Sequence, residues 1–379
     1  MSTDFPLALA DATDYPAPTI LATADKHNIS LLGLGSARYS QFIAQSMYVK
    51  NGRSAIAHVA KTIGLQPGDT ILLPEYFCPA MVEPFLWMKL KVKFYRLDKT
   101  LHVDQAYFKS LIDANVKACL FVRFFGFMGD IEESLILAKS LGLLAIEDCA
   151  HSYFSQEVSV KGECFDASIC SLNKFFPCVD GGMYRLNNKY SANDNAGERG
   201  ISHVEELKNT LHFIGLEKGI EFLKKLIKPS RNNSLDVTKS SDEISAKSVY
   251  RYFKEQDLGL GCFRLTKWIV GSSNNKKIIE KRRQNYTSLY AGLISSSLGQ
   301  PIFKLEPNAV PYVFPFLLHD EDDFDYIREQ GIQILRWEEF TPSDNRDVET
   351  LRKRLIQIPC HQNLTLIELQ KIITIINKR

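Results

Sequence analysis

Several things are missing from this chain, and each absence removes a class of function. None of the eight cysteines forms a C-x-x-C pair, so neither a zinc ribbon nor a dithiol redox motif is supported, and no metal site is expected. The 46 basic and 44 acidic side chains nearly cancel, leaving +2, which gives no field for recruiting nucleic acid or an anionic membrane. No apolar run is long enough to span a bilayer. The opening stretch, MSTDFPLALADATDY, has no basic segment followed by a long apolar core and does not read as a signal peptide. Gly33-Leu34-Gly35 lacks the third glycine of a dinucleotide fingerprint and a strand-turn-helix setting, so it reads as a turn. There is no internal repeat.

What is present is ordinary for a folded protein with a large core: 379 residues, 45% hydrophobic and 24% charged. That length favours two domains, or one large and one small. Cys149, Cys170 and Cys178 lie in or beside apolar segments and read as buried thiols of a reduced, cytoplasmic protein.

The chain is organised around residues 143–182. Leu143-Leu144-Ala145-Ile146 is an apolar run ending on Glu147-Asp148, the pattern of a buried parallel strand with an acid at its carboxyl end. A second run, Ala167–Cys170, ends on Ser171-Leu172-Asn173-Lys174, and Asp180-Gly181-Gly182 closes the stretch with a turn. Ligands in open α/β sheets bind outside the carboxyl ends of strands, so Asp148, Ser171 and Lys174 are candidates for one crevice. A lysine that carries a cofactor as a Schiff base, and an aspartate that pairs with a pyridinium nitrogen, are the needs of pyridoxal phosphate chemistry. Taken singly, a lysine after a strand is more often a surface residue and an aspartate there a turn former. It is their order in the chain that is specific.

Upstream, Asn51-Gly52-Arg53-Ser54 opens a helix whose apolar positions, Ala55, Ile56, Val59, Ala60 and Ile63, recur at helical spacing until Gly64 and Pro67. Such a start presents free amides and a positive dipole end to an anion such as phosphate; plain capping is the competing explanation. Thr70–Leu73 reads as a strand, and Tyr76, Phe77 or Cys78 just beyond it lies where a flat ring could be covered. Strands at 92–95, 118–122 and 143–147 alternate with helices at 80–90, 104–114 and 131–141, which predicts a mostly parallel sheet with helices on both faces. Residues 203–227 read as amphipathic helix, and 228–247, polar and small, as a mobile loop. The basic residues Lys276, Lys277, Lys281, Arg282 and Arg283 read as the solvated face of a helix over 274–293. From about residue 300 a small α/β unit is expected, with strands at 313–317, 333–337 and 355–358 and helices at 321–330 and 365–377. In it Arg336 is a candidate for a substrate carboxylate or a surface ion pair, and His361 for a turn or cap.

With those residues in view, NGRSAI, LQPGDTILLP, RFFGFMGD, IEDCAHS, SLNK and DGG together resemble the DegT/DnrJ-type sugar aminotransferase family, from about residue 45 to the end. The resemblance implies an α/β fold of fold type I, as in pyridoxal phosphate-dependent transferases: a large cofactor-binding domain (1–295) with a mostly parallel sheet, and a small C-terminal domain (296–379). It also implies a homodimer with shared active sites. Carried over by position, Lys174 would hold the cofactor and Asp148 would pair with its ring nitrogen. His151 would lie near the ring oxygen, and Gly52, Arg53, Ser54 and Ser171 would contact the phosphate. Residues around 282–285 would reach a neighbour's cofactor.

The chain also departs from the family. Its phosphate turn often reads Ser-Gly-Thr, its stacking aromatic usually stands where this chain has Cys78, a histidine often stands at Arg123, and Ser171 is closer to Lys174 than usual. The activity implied is transfer of an amino group from an amino acid, often glutamate, to a nucleotide-linked keto sugar. Elimination or dehydration, or a cofactor-binding regulatory protein, are the alternatives. Sugar-deoxygenating relatives carry histidine at the lysine position, and Lys174 argues against that branch.

Overall fold

The structure is a computed structural model describing residues 15–24, 46–127, 129–154, 165–190, 206–208, 210, 250–337 and 344–378. The turn at Gly33–Gly35, most of the helix expected over 203–227 and the loop over 228–247 lie outside the described residues.

A seven-stranded sheet forms the centre, built from β1 (Met47–Val49), β2 (Thr70–Pro74), β3 (Lys91–Tyr95), β4 (Val116–Val122), β5 (Leu144–Asp148), β6 (Ala167–Ser171) and β7 (Gly182–Leu186) in the order β1-β7-β6-β5-β4-β2-β3. The run from β3 to β6 is parallel, whereas β7 is antiparallel to β6 and β1 antiparallel to β7. The expected parallel core is therefore present, with an antiparallel edge. β2 is buried at every position, which is why TILLP reads as a continuous apolar run. Between the strands lie α1 (Gly52–Thr62), α2 (Pro79–Trp87), α3 (Gln105–Ser110) and α4 (Glu132–Ser140). α1 buries Ala55, Ile56, Val59 and Ala60, the residues its periodicity marked. Among the described residues no helix is long and apolar enough to cross a membrane.

Beyond this sheet come α5 (Arg264–Ser272), α6 (Asn275–Leu293), α7 (Asp323–Glu329), α8 (Arg346–Arg354) and α9 (Leu366–Ile376). A second, antiparallel sheet has the order β10-β9-β8, from β8 (Gly299–Pro301), β9 (Val313–Leu318) and β10 (Leu355–Pro359). α9 opens with the reciprocal Thr365–Glu368 capping box. The strand expected at 333–337 is reduced to isolated bridges. Ile332 pairs with Ile20 and Leu335 with Gln357, so the segment divides its backbone bonds between two partners and forms no ladder.

α6 corrects the sequence reading. Lys276 and Lys277 are exposed, but Arg282 is fully buried. Arg282 and Arg283 donate to carbonyls of residues 306–312, and Asn285 donates to the His361 carbonyl at 2.8 Å. These three side chains are thus bonded within their own chain.

Candidate active site

A cavity of about 320 Å³ opens at the carboxyl ends of the parallel strands. It is lined from three directions: the start of α1 (Asn51, Gly52, Arg53), the segment after β2 (Tyr76, Phe77, Cys78), and the ends of β5 and β6 with the turns that follow (Asp148, Ala150, His151, Ser171, Asn173, Lys174). The topology therefore brings together nine of the ten residues marked in the sequence.

Ser54 is the exception. It is fully buried behind the turn, and its hydroxyl donates to Asn51 Oδ1 at 3.2 Å. That oxygen also caps the helix by accepting from the Ser54 amide at 2.9 Å, and Asn51 Nδ2 donates to Asp257 Oδ2 at 2.9 Å. Ser54 thus braces the cap and does not line the cavity. The first intrahelical bond runs from Ala55 N to Asn51 O, so the amides of Gly52 and Arg53 precede it and belong to the unsatisfied first turn. Arg53 Nε is buried without a partner. A Cβ on Gly52 would lie 3.3 Å from Ser171 Cβ, and one on Gly182 would lie 2.1 Å from Asn51 O. The Asp180-Gly181-Gly182 turn is what lets the α1 start approach the lysine-bearing turn so closely. Asp180 clasps it from behind, accepting from the Phe263 amide at 3.0 Å and the Lys50 amine at 3.5 Å.

Asp148 is 7% exposed at the end of β5, and its Oδ1 accepts from the Ala150 amide at 2.8 Å. Burial pushes its carboxyl above the usual range, while the Lys174 charge pulls it back. Burial likewise pushes the Lys174 ammonium down, and Asp148 draws it up. Lys174 ends the short 3₁₀ turn Leu172–Lys174, with its amine 5.6 Å from the Tyr312 ring centre. His151 is stacked between Tyr312 (4.7 Å) and Phe125 (5.7 Å). Burial, with a smaller push from Lys174, holds its imidazole well below its ordinary pKa, so it is neutral at pH 7. The Phe125 amide donates to His151 Nδ1 at 3.4 Å, which leaves the proton on Nε2. Phe125 has φ 59°, a left-handed conformation costing roughly 1–2 kcal/mol for a residue with a Cβ, and it is stored beside the site.

Around the mouth, Tyr76 packs on Trp337 at 4.8 Å, while Phe77 is stacked flat on Phe94 at 4.7 Å. Asn51, read from the sequence as the first residue of the phosphate turn, also lines the cavity, as do Asn173, Tyr252 and Trp337, which sequence reasoning missed. Asn173 was visible inside SLNK; Tyr252 and Trp337 carry no local signal. Two candidates lie elsewhere. Arg336 sits 4.0 Å over the Phe324 ring and donates to the Lys353 carbonyl at 3.0 Å. His361, 5% exposed, holds the Leu21 carbonyl at 3.0 Å, a structural role. Arg123, where relatives often have histidine, is 3% exposed and paired with Glu147 at 2.9 Å.

The donors suit a phosphorylated, flat heteroaromatic aldehyde. First-turn amides and an unpartnered buried guanidine nitrogen would meet an anion, a buried carboxylate would meet a ring nitrogen, and an amine of depressed pKa would meet a carbonyl carbon. Residues 37–206 match the DegT/DnrJ/EryC1/StrS aminotransferase family. The resemblance drawn from the motifs is thereby borne out. Among its relatives, UDP-2-acetamido-2-deoxy-3-oxo-D-glucuronate aminotransferase of Pseudomonas aeruginosa is 27% identical over 135 residues, 35% of this chain and 37% of that protein. The matched stretches cover 20% to 48% of the length of the curated relatives. The whole chain is similar to solved structures at low identity. The aminotransferase TlmJ from Streptoalloteichus hindustanus has a TM-score of 0.62 at 14% identity, covering 95% of this chain and 92% of that one. NtdA from Bacillus subtilis, with bound cofactor PMP, has a TM-score of 0.58 at 17% identity, covering 87% and 72%. This likeness shows the fold, an α/β fold of type I as in DegT/DnrJ/EryC1/StrS aminotransferases.

The placement of Arg53 and Ser54 separates their roles. Arg53→Ala is expected to weaken binding of a phosphorylated cofactor by about 10- to 100-fold, the loss of a charge-assisted hydrogen bond. Ser54→Ala should leave that affinity within about threefold and instead lower stability by about 1 kcal/mol. Fluorescence titration and urea unfolding of both variants check this.

Proposed function

We propose that this chain is a pyridoxal phosphate-dependent aminotransferase. It moves an amino group from an amino acid, glutamate as the leading donor, to a keto sugar carried on a nucleotide. The observation that carries the reading is the buried Asp148 carboxylate and Lys174 amine facing one cavity whose far wall is the open start of α1. The match over residues 37–206 and the UDP-sugar relative support the reaction class and the acceptor class. The chain's residues 1–295 would form the cofactor unit and 296–379 the second unit, a division supported by the separate sheet that starts at Gly299.

When bound, pyridoxal phosphate supplies an electrophilic aldehyde and a ring that accepts electrons from a substrate carbanion. Gly52, Arg53 and Ser171 would hold the phosphate at the positive end of α1. Asp148 would favour a proton on the ring nitrogen. His151, neutral and with its proton on Nε2, would donate to the ring oxygen. Lys174 would hold the cofactor through its aldehyde and, with its amine free, would take up and return the proton of the donor α-carbon. That step needs a neutral amine, and the burial that depresses the Lys174 pKa favours one. Tyr76, Phe124 and Trp337 make an apolar wall that excludes water. The test is to find which amino acids convert the bound cofactor to its amine form, followed by a screen of keto-sugar acceptors. Turnover by elimination with no amine form would favour the alternative chemistry.

A homodimer with shared sites completes the reading. Val179, which adjoins Asp180, and Trp268 of α5 are 61% and 47% exposed, apolar surface that supports contact with a second copy. Light scattering should return twice the 43.0 kDa chain mass. A mass of one chain at micromolar concentration would refute the dimer.

A further inference from the structure

Among the described residues Arg282 is the largest fully buried side chain, and its acceptors are neutral oxygens. Its Nε donates to Gln362 Oε1 at 2.9 Å, and its Nη1 to the carbonyls of Tyr312 (2.8 Å) and Pro311 (3.2 Å). Its Nη2 donates to the carbonyl of Lys174 at 3.4 Å, and the guanidinium lies 4.7 Å from the Phe175 ring centre. Gln362, held by Arg282, donates from Nε2 to the Phe175 carbonyl at 3.0 Å. The two carbonyls that follow the catalytic side chain are thus gripped by α6 and by the turn after β10. Burying a cation carries a desolvation cost, and burial lowers the pKa of this guanidinium to about 10. An apolar residue would avoid that cost but would leave the carbonyls without donors. Only a planar fork of five donors reaches all of them at once.

We infer that Arg282 is the positioning residue of the lysine turn. It locks the backbone of Lys174–Phe175 to Tyr312 and Gln362, so the second-sheet unit fixes where the Lys174 amine stands in the cavity. Tyr312 serves the same end, because the residue whose carbonyl Arg282 holds also stacks on His151 and faces the Lys174 amine. The role of the amine rests on the function proposed above; the anchoring of the turn does not.

The test uses the full chain with Arg282→Met, which keeps much of the volume, and Arg282→Lys, which keeps a charge and some donors. In the cofactor-free protein the Phe175 and Phe176 amides donate to the Leu172 carbonyl at 3.1 and 3.0 Å. Their hydrogen exchange should accelerate about tenfold or more in the Met variant and by less in the Lys variant. After loading with pyridoxal phosphate, the rate of borohydride trapping on Lys174 should fall about tenfold in the Met variant, because a misplaced amine loses its near-attack geometry. Wild-type exchange and trapping in Arg282→Met would overturn the inference. If trapping is absent even in the wild type, the proposed function fails, and the exchange rates still decide the anchoring. Should neither Arg282 variant fold, Gln362→Leu is the substitute. It removes the Phe175 anchor, and unchanged exchange at Phe175–Phe176 would overturn the inference.

Discussion

Lys174→Ala is expected to lower transamination by at least about 10⁴-fold, because under the proposed function one side chain would supply both the nucleophile and the proton shuttle. Cofactor affinity should fall far less, since the proposed phosphate contacts of Gly52, Arg53 and Ser171 would remain. The expected pattern is a protein that still quenches on cofactor addition, shows no covalent link, and does not convert its cofactor in single-turnover mixing with glutamate. Millimolar methylamine, an amine able to enter a 320 Å³ cavity, should restore part of the rate. A variant that keeps a tenth of the wild-type rate would place the shuttle elsewhere.

Asp148→Asn is expected to cost about 10²–10³-fold in rate, as a preorganised charge at the developing electron sink is lost. Stability should move the other way. In the cofactor-free protein the folded pKa of Asp148 is raised by burial, so the folded state binds the proton more tightly than the unfolded chain does. The stability linked to this carboxyl is present below the ordinary carboxylate pKa and is lost as pH rises through the raised value. Asparagine carries no such penalty. The variant should therefore melt at or above the wild-type temperature at pH 7, with the difference closing as pH falls toward about 4. Lys174 also loses the carboxylate that draws its pKa up, so its amine should titrate lower in the variant. Melting curves across pH, with and without cofactor, check both signs. A variant less stable than wild type at pH 7 in the absence of cofactor would contradict the assignment of Asp148 as a strained, functional carboxylate.

Much of this site was legible because its parts are local. The apolar runs ending in Glu147-Asp148 and in SLNK are strand ends, and a parallel sheet lines up its strand ends on one side without further information. The α1 start was legible for the same reason, since capping and small residues announce a helix N-terminus. Contributions that depend on distant packing were not. Ser54 looked like a phosphate contact because it shares the turn, but its hydroxyl rotates back onto Asn51. Arg282 looked like part of a basic helix face; only the meeting of α6 with the Lys174 turn and Gln362 shows why a cation is buried there. Trp337 and Tyr252 reach the cavity from segments far along the chain and carry no motif. The edge strands β1 and β8, three residues each, are too short for periodicity to mark.

Lys174 is the residue proposed to carry the cofactor. Reduction of the cofactor-saturated protein with borohydride, followed by peptide mass spectrometry, tests this most directly. The expected result is a single pyridoxyl-phosphate adduct on Lys174. An adduct on a different lysine, or no adduct from protein shown to be saturated, would contradict it.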